Sequence, residues 1–399
     1  MSQDFNAPPA GRRALAIPAL LMLLAANAVA HSFVLIVLPP LGRKMGLADL
    51  QTGMVIGLSA LMLTLSGPVW GQICERWGRR PVLLSGLAVA ALFPAVLAVI
   101  LTAALSSALT VGMVFAVLLL ARLGQAVGTG GIMPAAQAYL ADSTSAGRRA
   151  AGMGLMGAAF GAGLVIGGAL AWRLGSTQAV PALLAISLLI CVGLAVAWRL
   201  LPEPPRAPVP AEAARLRVAS LWPFLLTTLC GVAVYALVQQ VTALRYQDDF
   251  GLSLDESIGR SGATLMLTMA VMIVTQGVFV RRLGWQPSRL VRVGAVGGLL
   301  AMVVATVAPS IPVLMAAMAG LGAFLGLLLP GNLAALSLRA GAGAQAKVAG
   351  LNAIGQGLGM AAGPMMGAAL HQLSPAAPYG MAGLLLLVIC VLAFRPFVR

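Results

Sequence analysis

Twelve long apolar runs, separated by short polar gaps, constrain this chain more than any other feature. A helix needs about 20 mostly apolar residues to cross the ~30 Å hydrocarbon layer of a bilayer. No water reaches the backbone there, so only helices and closed barrels can cross. The runs lack the period-2 alternation of a barrel strand, so they predict helices. Composition agrees. Residues are 60% hydrophobic and 9% charged, with a mean hydropathy of +0.98. A soluble domain carries about 25% charged residues, and a chain this poor in charge could not cover a soluble surface.

The apolar runs predict spans 1 to 6 near 14–38, 50–72, 81–104, 109–138, 149–171 and 178–200. Spans 7 to 12 are predicted near 219–245, 259–281, 288–308, 311–338, 348–371 and 376–397. Arg12-Arg13, an apolar stretch and Ala28-Val29-Ala30 resemble a cleavable secretory signal. The apolar stretch continues to Leu38, however, so it is read as an uncleaved first span.

A net charge of +15 would suggest nucleic acid in a soluble protein. Here the basic residues sit in short gaps, with no basic domain to hold a duplex, so no nucleic-acid partner is expected. Topology explains them better. Lys and Arg in short loops mark the cytoplasmic side. With twelve spans, nineteen of the twenty-five fall on the side of the termini and five on the other, leaving Arg122 within a span. Both termini are therefore expected in the cytoplasm, in a multi-pass inner (plasma) membrane protein.

The proline-rich stretch 201–218 reads as a cytoplasmic linker. It follows a tail at 1–13 and a first six-helix bundle at 14–200, and precedes a second bundle at 219–397. The halves repeat one another. Gly154, Gly163 and Gly167 in span 5 recur as Gly350, Gly359 and Gly363 in span 11, followed by Pro364. Gly71-x4-Arg76-x-Gly78-x2-Pro81 recurs as Gly277-x4-Arg282-x-Gly284-x2-Pro287. Parallel repeats of this kind are a transporter architecture. The expected fold is an all-α integral membrane protein of about twelve transmembrane helices in two pseudo-symmetric six-helix bundles.

The loop Gly71-Gln72-Ile73-Cys74-Glu75-Arg76-Trp77-Gly78-Arg79-Arg80 resembles the loop between spans 2 and 3 of the major facilitator superfamily, with Glu75 where the family has Asp. The resemblance implies a charge network of Glu75, Arg76, Arg79 and Arg80 that latches the halves on the cytoplasmic side. Simple positive-inside anchoring is the alternative. The span 5 glycines resemble the antiporter motif of the superfamily, with Gly168 where a proline normally follows. They would let helix backbones, and with them the halves, approach closely. Arg122-x2-Gln125 in span 4 is similar to a third family motif, with Ala126 in place of its glycine. A charge near the bilayer centre costs at least ~2.5–3.5 kcal/mol, so Arg122 should face a wet cavity or the protein interior. The resemblance implies proton transfer or substrate contact, while a structural bond to neighbouring carbonyls would also satisfy it. The nearest subgroup in pattern is the twelve-span drug:proton antiporters, which implies a multidrug-type exporter, with protons as coupling ion and a small-molecule substrate.

All ten acidic residues can be placed, and none falls mid-span. Without a cavity carboxylate, a strict organic-cation exporter is disfavoured. Neutral, zwitterionic or anionic substrates are favoured. His31, one turn after Asn27 in span 1, is a candidate proton carrier, because an unperturbed histidine titrates near neutrality, or else a packing histidine. Asp142 is the other candidate, or else a loop cap or a partner for Arg148 or Arg149. The superfamily fold lines its cavity chiefly with spans 1, 4, 7 and 10. Polar candidates besides His31, Asn27, Arg122 and Gln125 are therefore Tyr235, Gln239 and Gln240 in span 7, Asn332 in span 10, and Asn352 and Gln356 in span 11. The four cysteines lie apart, without a metal or disulfide pattern, and are expected to be small buried groups. No cofactor, metal or intramembrane catalytic cluster is expected, and the protein is expected to act as a monomer. An importer or uniporter of a small anionic or metal-chelating metabolite is the second reading.

Overall fold

A computed structural model describes residues 10–144, 149–175, 177–204, 220–340 and 345–395. The tail to residue 9, most of the linker 201–218, and Arg148 lie outside the described residues.

The first half contains Ala10–Lys44 (span 1), Asp49–Trp77 (span 2), Arg79–Leu105 (span 3), span 4 in two pieces, Arg149–Leu174 (span 5) and Ala179–Leu200 (span 6). The second contains Trp222–Asp248 (span 7), span 8, Pro287–Thr306 (span 9), Ile311–Ala340 (span 10), Gln345–His371 (span 11) and Ala377–Phe394 (span 12). Span 4 runs Val111–Thr129 and, past Gly130-Gly131, Ile132–Ser143. Span 8 runs from Leu254–Val274 through a π-helical turn, Thr275–Phe279, into Val280–Leu283. Among the described residues, eleven spans are long and apolar enough to cross a membrane. The exception is span 11. Its 27 residues include six glycines, Asn352 and Gln356, and it packs along spans 7 and 2.

Several helices outrun their apolar cores. Span 1 continues six residues past Leu38 to Lys44, and span 7 three residues past Arg245 to Asp248. Their polar last turns meet each other, which repays the extension. Elsewhere local chemistry sets the ends. Gly78, at φ +105°, is the one residue between spans 2 and 3, a conformation side-chain-bearing residues rarely adopt. The Thr110 hydroxyl accepts from the Met113 N–H and starts span 4. Ser253 and Glu256 form a reciprocal capping box at the start of span 8.

Helix packing repeats with a shift of six. Span 1 packs on 5 and 6, span 3 on 4 and 6, and span 2 on 4. Span 7 packs on 11 and 12, span 9 on 10 and 12, and span 8 on 10. Across the halves, span 2 lies on 11 and span 5 on 8. The glycine motif has equivalent partners in both halves. Gly163 and Gly167 bring span 5 onto Ala25 and Val29 of span 1, and Gly359 and Gly363 bring span 11 onto Leu229 and Ala233 of span 7. Gly154 and Gly350, expected to share this role, face open space instead. The close approach between halves falls to other glycines. Gly168 meets Gly262 and Met266 of span 8, while Gly53 and Gly57 meet Pro364 and Ala361 of span 11. Of the cysteines, Cys74, Cys230 and Cys390 are buried, but Cys191 is exposed.

Candidate functional site: a chamber between the halves

Spans 1, 2, 4, 7 and 11 enclose a chamber of about 640 Å³, its mouth included. His31, Ser59, Arg122, Gln125, Thr129, Gln239 and Gln240 supply its polar lining, and among the described residues no Asp or Glu lines it. Each polar group is near mid-height of its helix. The apolar remainder includes Leu35, Ile56, Leu63, Met360 and Pro364.

Arg122 is 6% exposed. One guanidinium nitrogen, Nη1, donates to Gln125 Oε1, one turn along span 4. The cation lies 5.2 Å from the centre of the Phe93 ring. Among the described residues no carboxylate pairs with it, and its Nε–H is buried without a partner. Gln240, on the opposite half, is 2% exposed. Its Nε2 donates to Thr52 Oγ1 at 3.4 Å, and its Oε1 is buried without a partner.

The remaining sequence candidates divide. Asn332 Nδ2 donates to the Phe224 carbonyl at 2.8 Å and to Thr228 Oγ1 at 2.9 Å, and Thr228 Oγ1 donates to Asn352 Oδ1 at 2.7 Å. These two asparagines therefore bolt spans 7, 10 and 11 together and do not line the chamber. Tyr235 and Asn27 are half-buried outside its lining, and Gln356 is exposed. Span 10, expected among the lining helices, contributes no residue to it.

At the end away from the termini the chamber is sealed. Arg43 forms a paired contact with Asp49 (2.7 Å to each oxygen) and another with Asp248 (2.8 and 2.7 Å). It also donates to Gln247 Oε1 at 3.1 Å, and His371 Nε2 lies 2.8 Å from Asp248 Oδ2. The cluster joins spans 1 and 2 to spans 7 and 11. Its signal in the sequence was the charge at the span ends, which loop counting treated as topology only. Loop counting places Arg245 at the outer end of span 7, among the outer-side charges. It is instead 2% exposed inside span 7, donating to the Ala305 carbonyl at 2.6 Å and paired with Asp249 at 2.9 Å. Arg122 is thus not the only buried cation of the spans. Toward the termini the seam parts. Gly67 and Gly71 of span 2, Gly154 and Gly157 of span 5, Gly277 of span 8 and Gly350 of span 11 face open space.

At that parted end, the arginine motif makes its contacts within the first half. Glu75 is exposed, and the acids that Arg79 and Arg80 engage are Asp142 and Glu203. Arg79 Nε donates to Asp142 Oδ2 at 3.0 Å. The backbone N–H groups of Arg79 and Arg80 donate to the two Glu203 oxygens at 2.6 and 2.8 Å. Arg80 donates to the Trp198 carbonyl at 2.7 Å. Gly78 leaves room for the Glu203 carboxylate. These contacts tie spans 3, 4 and 6 within the first half. Asp142 is thus paired with Arg79, whereas the sequence suggested Arg148 or Arg149.

Comparison with known proteins fits this geometry. Residues 20–304 match the family model of the Major Facilitator Superfamily. A tetracycline resistance protein, class G, from Vibrio anguillarum is 35% identical over 172 residues, which cover 42% of this chain and 40% of that protein. A class C tetracycline resistance protein from Escherichia coli is 34% identical over 193 residues, 47% of this chain and 46% of that protein. The matches thus span less than half the length of either relative. In fold, the chain resembles an inward-facing bacterial homologue of the human lysosomal transporter Spinster, with a TM-score of 0.75, 17% identity, and coverage of 98% and 97%. The chain belongs to the Major Facilitator Superfamily.

Proposed function

We propose that the protein exports small organic compounds in exchange for protons, by alternating access of the chamber to the two sides of the inner membrane. The observation that carries this reading is the chamber itself, which lies between two pseudo-symmetric halves, is sealed at one end and is parted at the other. The excess of Lys and Arg on the terminal side supports cytoplasmic termini. On that orientation the chamber opens inward. The partial relatedness to two tetracycline resistance proteins supports export. The buried Arg122 and the acid-free lining favour neutral, zwitterionic or anionic cargo. Within that lining His31 is the proposed proton carrier, since Asp142 is engaged with Arg79 outside the chamber.

The test is accumulation of a panel of labelled small molecules by inside-out vesicles, with and without a proton gradient. Gradient-driven uptake abolished by an uncoupler and by Arg122→Ala is expected. Gradient-independent exchange of an anionic metabolite would instead favour a uniporter or importer, the second reading, which the unpaired Arg122 cation also supports.

A further inference from the structure

Two residues that line the chamber each carry a buried polar atom with no partner among the described residues, and the chemistry of the two atoms is opposite. The Arg122 guanidinium carries an orphaned Nε–H and a charge that no described carboxylate balances. The Gln240 amide has the reverse defect, an orphaned oxygen. Its orientation is fixed by its neighbour. The Thr52 hydroxyl donates its proton to the Asp49 carbonyl at 2.8 Å, so Thr52 Oγ1 can only accept from Gln240. The Gln240 Nε2 must therefore face Thr52, and the carbonyl oxygen must face away. Leaving a buried polar group unmatched is expensive, and most native buried groups find a partner. Both residues line one chamber, Arg122 from the first half and Gln240 from the second.

Taking the chamber as the substrate site, we infer that it holds its ligand at two points. A carboxylate or ionised enol sits on Arg122, and a hydroxyl or N–H on the far side of the ligand donates to Gln240 Oε1. The cargo class is therefore a small organic acid with a separate hydrogen-bond donor, apolar between the two to match Leu35, Ile56 and Met360. Such a ligand bridges the halves. A neutral acceptor or a lone organic cation would leave one or both orphans unanswered.

The test uses the purified full chain in nanodiscs and four compounds of one scaffold. These are 6-hydroxy-2-naphthoate, 6-methoxy-2-naphthoate, methyl 6-hydroxy-2-naphthoate and 6-hydroxy-2-naphthylmethylamine. Equilibrium binding should be tightest for the hydroxy acid. Methylating the hydroxyl should weaken it about 5-fold, and esterifying the acid about 10- to 100-fold. Gln240→Met should erase the difference between hydroxy and methoxy acids and keep that between acid and ester. Arg122→Gln should do the converse. Equal binding of hydroxy and methoxy acids by the native protein, tighter binding of the amine, or no binding of the hydroxy acid would each overturn the two-point site. Proton-driven flux is measured separately in vesicles. Two-point binding without such flux leaves this site standing and removes the export reading, and flux without two-point binding does the opposite.

Discussion

Arg79 serves different partners through its backbone and its side chain. Its N–H, with that of Arg80, opens span 3 onto the Glu203 carboxylate, while its guanidinium reaches Asp142. A carboxylate at a helix N-terminus satisfies orphan N–H groups and meets the positive end of the helix dipole, an effect of about 1 kcal/mol. The Arg79–Asp142 pair is more enclosed, with side chains 11% and 9% exposed, so removing one partner leaves a poorly solvated charge, roughly 3 kcal/mol. Unfolding midpoints of the purified protein should therefore fall most for Asp142→Ala, less for Glu203→Gln, and barely for Glu75→Gln. A Glu75 effect as large as that of Asp142 would overturn this assignment. The motif was legible because its glycine and arginines are adjacent in sequence. Its acids were not, because Asp142 and Glu203 lie 63 and 124 residues from Arg79 and only folding brings them near. Gln240 and Arg122 had the opposite fate. Polar residues inside apolar runs stand out without any structure, but which of them face a chamber and which bolt helices together depends on rotations about helix axes that a list of polar residues does not fix. Asn332 and Asn352 looked the same as Gln240 in sequence and are spent on Thr228.

Among the helices, the glycines separate by partner. A Cβ at Gly163 would run into the Ala25 carbonyl, and one at Gly363 into Ala233 and Ala236. Backbone cannot yield as a flexible side chain can, so Gly163→Ala and Gly363→Ala should force spans 1 and 5, or 7 and 11, apart. Gly154 and Gly350 have open space at the same position, where alanine is favoured in a helix by about 0.5–1 kcal/mol. Thermal unfolding should show a clear fall for the first two variants and no fall for Gly154→Ala and Gly350→Ala. Four equal losses would mean that the motif acts as a single packing stripe. The repeat itself was readable because spacings of nine and four survive in both halves. Helix class and most of the spans were readable from apolar length, since the bilayer sets that length, while the glycine-rich span 11 was readable also from its repeat of the span 5 glycines. What sequence spacing did not resolve was direction. It assigned the motif glycines to the contact between halves, whereas Gly163, Gly167, Gly359 and Gly363 face the neighbouring helix of their own half and Gly168 faces the other. Helix ends were misjudged for a related reason. Hydropathy marks the hydrocarbon boundary, while spans 1 and 7 continue until their charged turns find each other.

For the molecule as a whole, the charged cluster around Arg43 decides which face is closed. Arg43 grips Asp248 with two nitrogens and holds Asp49 of its own half at the same time, so the span 1–span 7 contact is oriented by two carboxylates. The His371 ring shares the Asp248 oxygen from span 11. The side chains of Arg43 and Asp248 are 26% and 34% exposed, so solvent weakens the pair, and its net worth is about 1 kcal/mol. That is small beside folding but large beside a conformational equilibrium, where it shifts populations about 5-fold. Asp248→Asn keeps the shape of the side chain and removes the charge that both Arg43 and His371 address. It should favour the state in which this end is open. Spin labels at Lys44→Cys and Leu373→Cys, both exposed positions on opposite halves, would read the change once the exposed Cys191 is replaced. The long-distance population should grow several-fold in Asp248→Asn, and high salt should move the native protein the same way, since screening acts on exposed pairs. Asp49→Asn should give a weaker version, because Asp49 orients Arg43 without crossing the halves. An unchanged distance distribution in Asp248→Asn would mean that the glycine contacts of span 2 with span 11 hold this end shut without the charges.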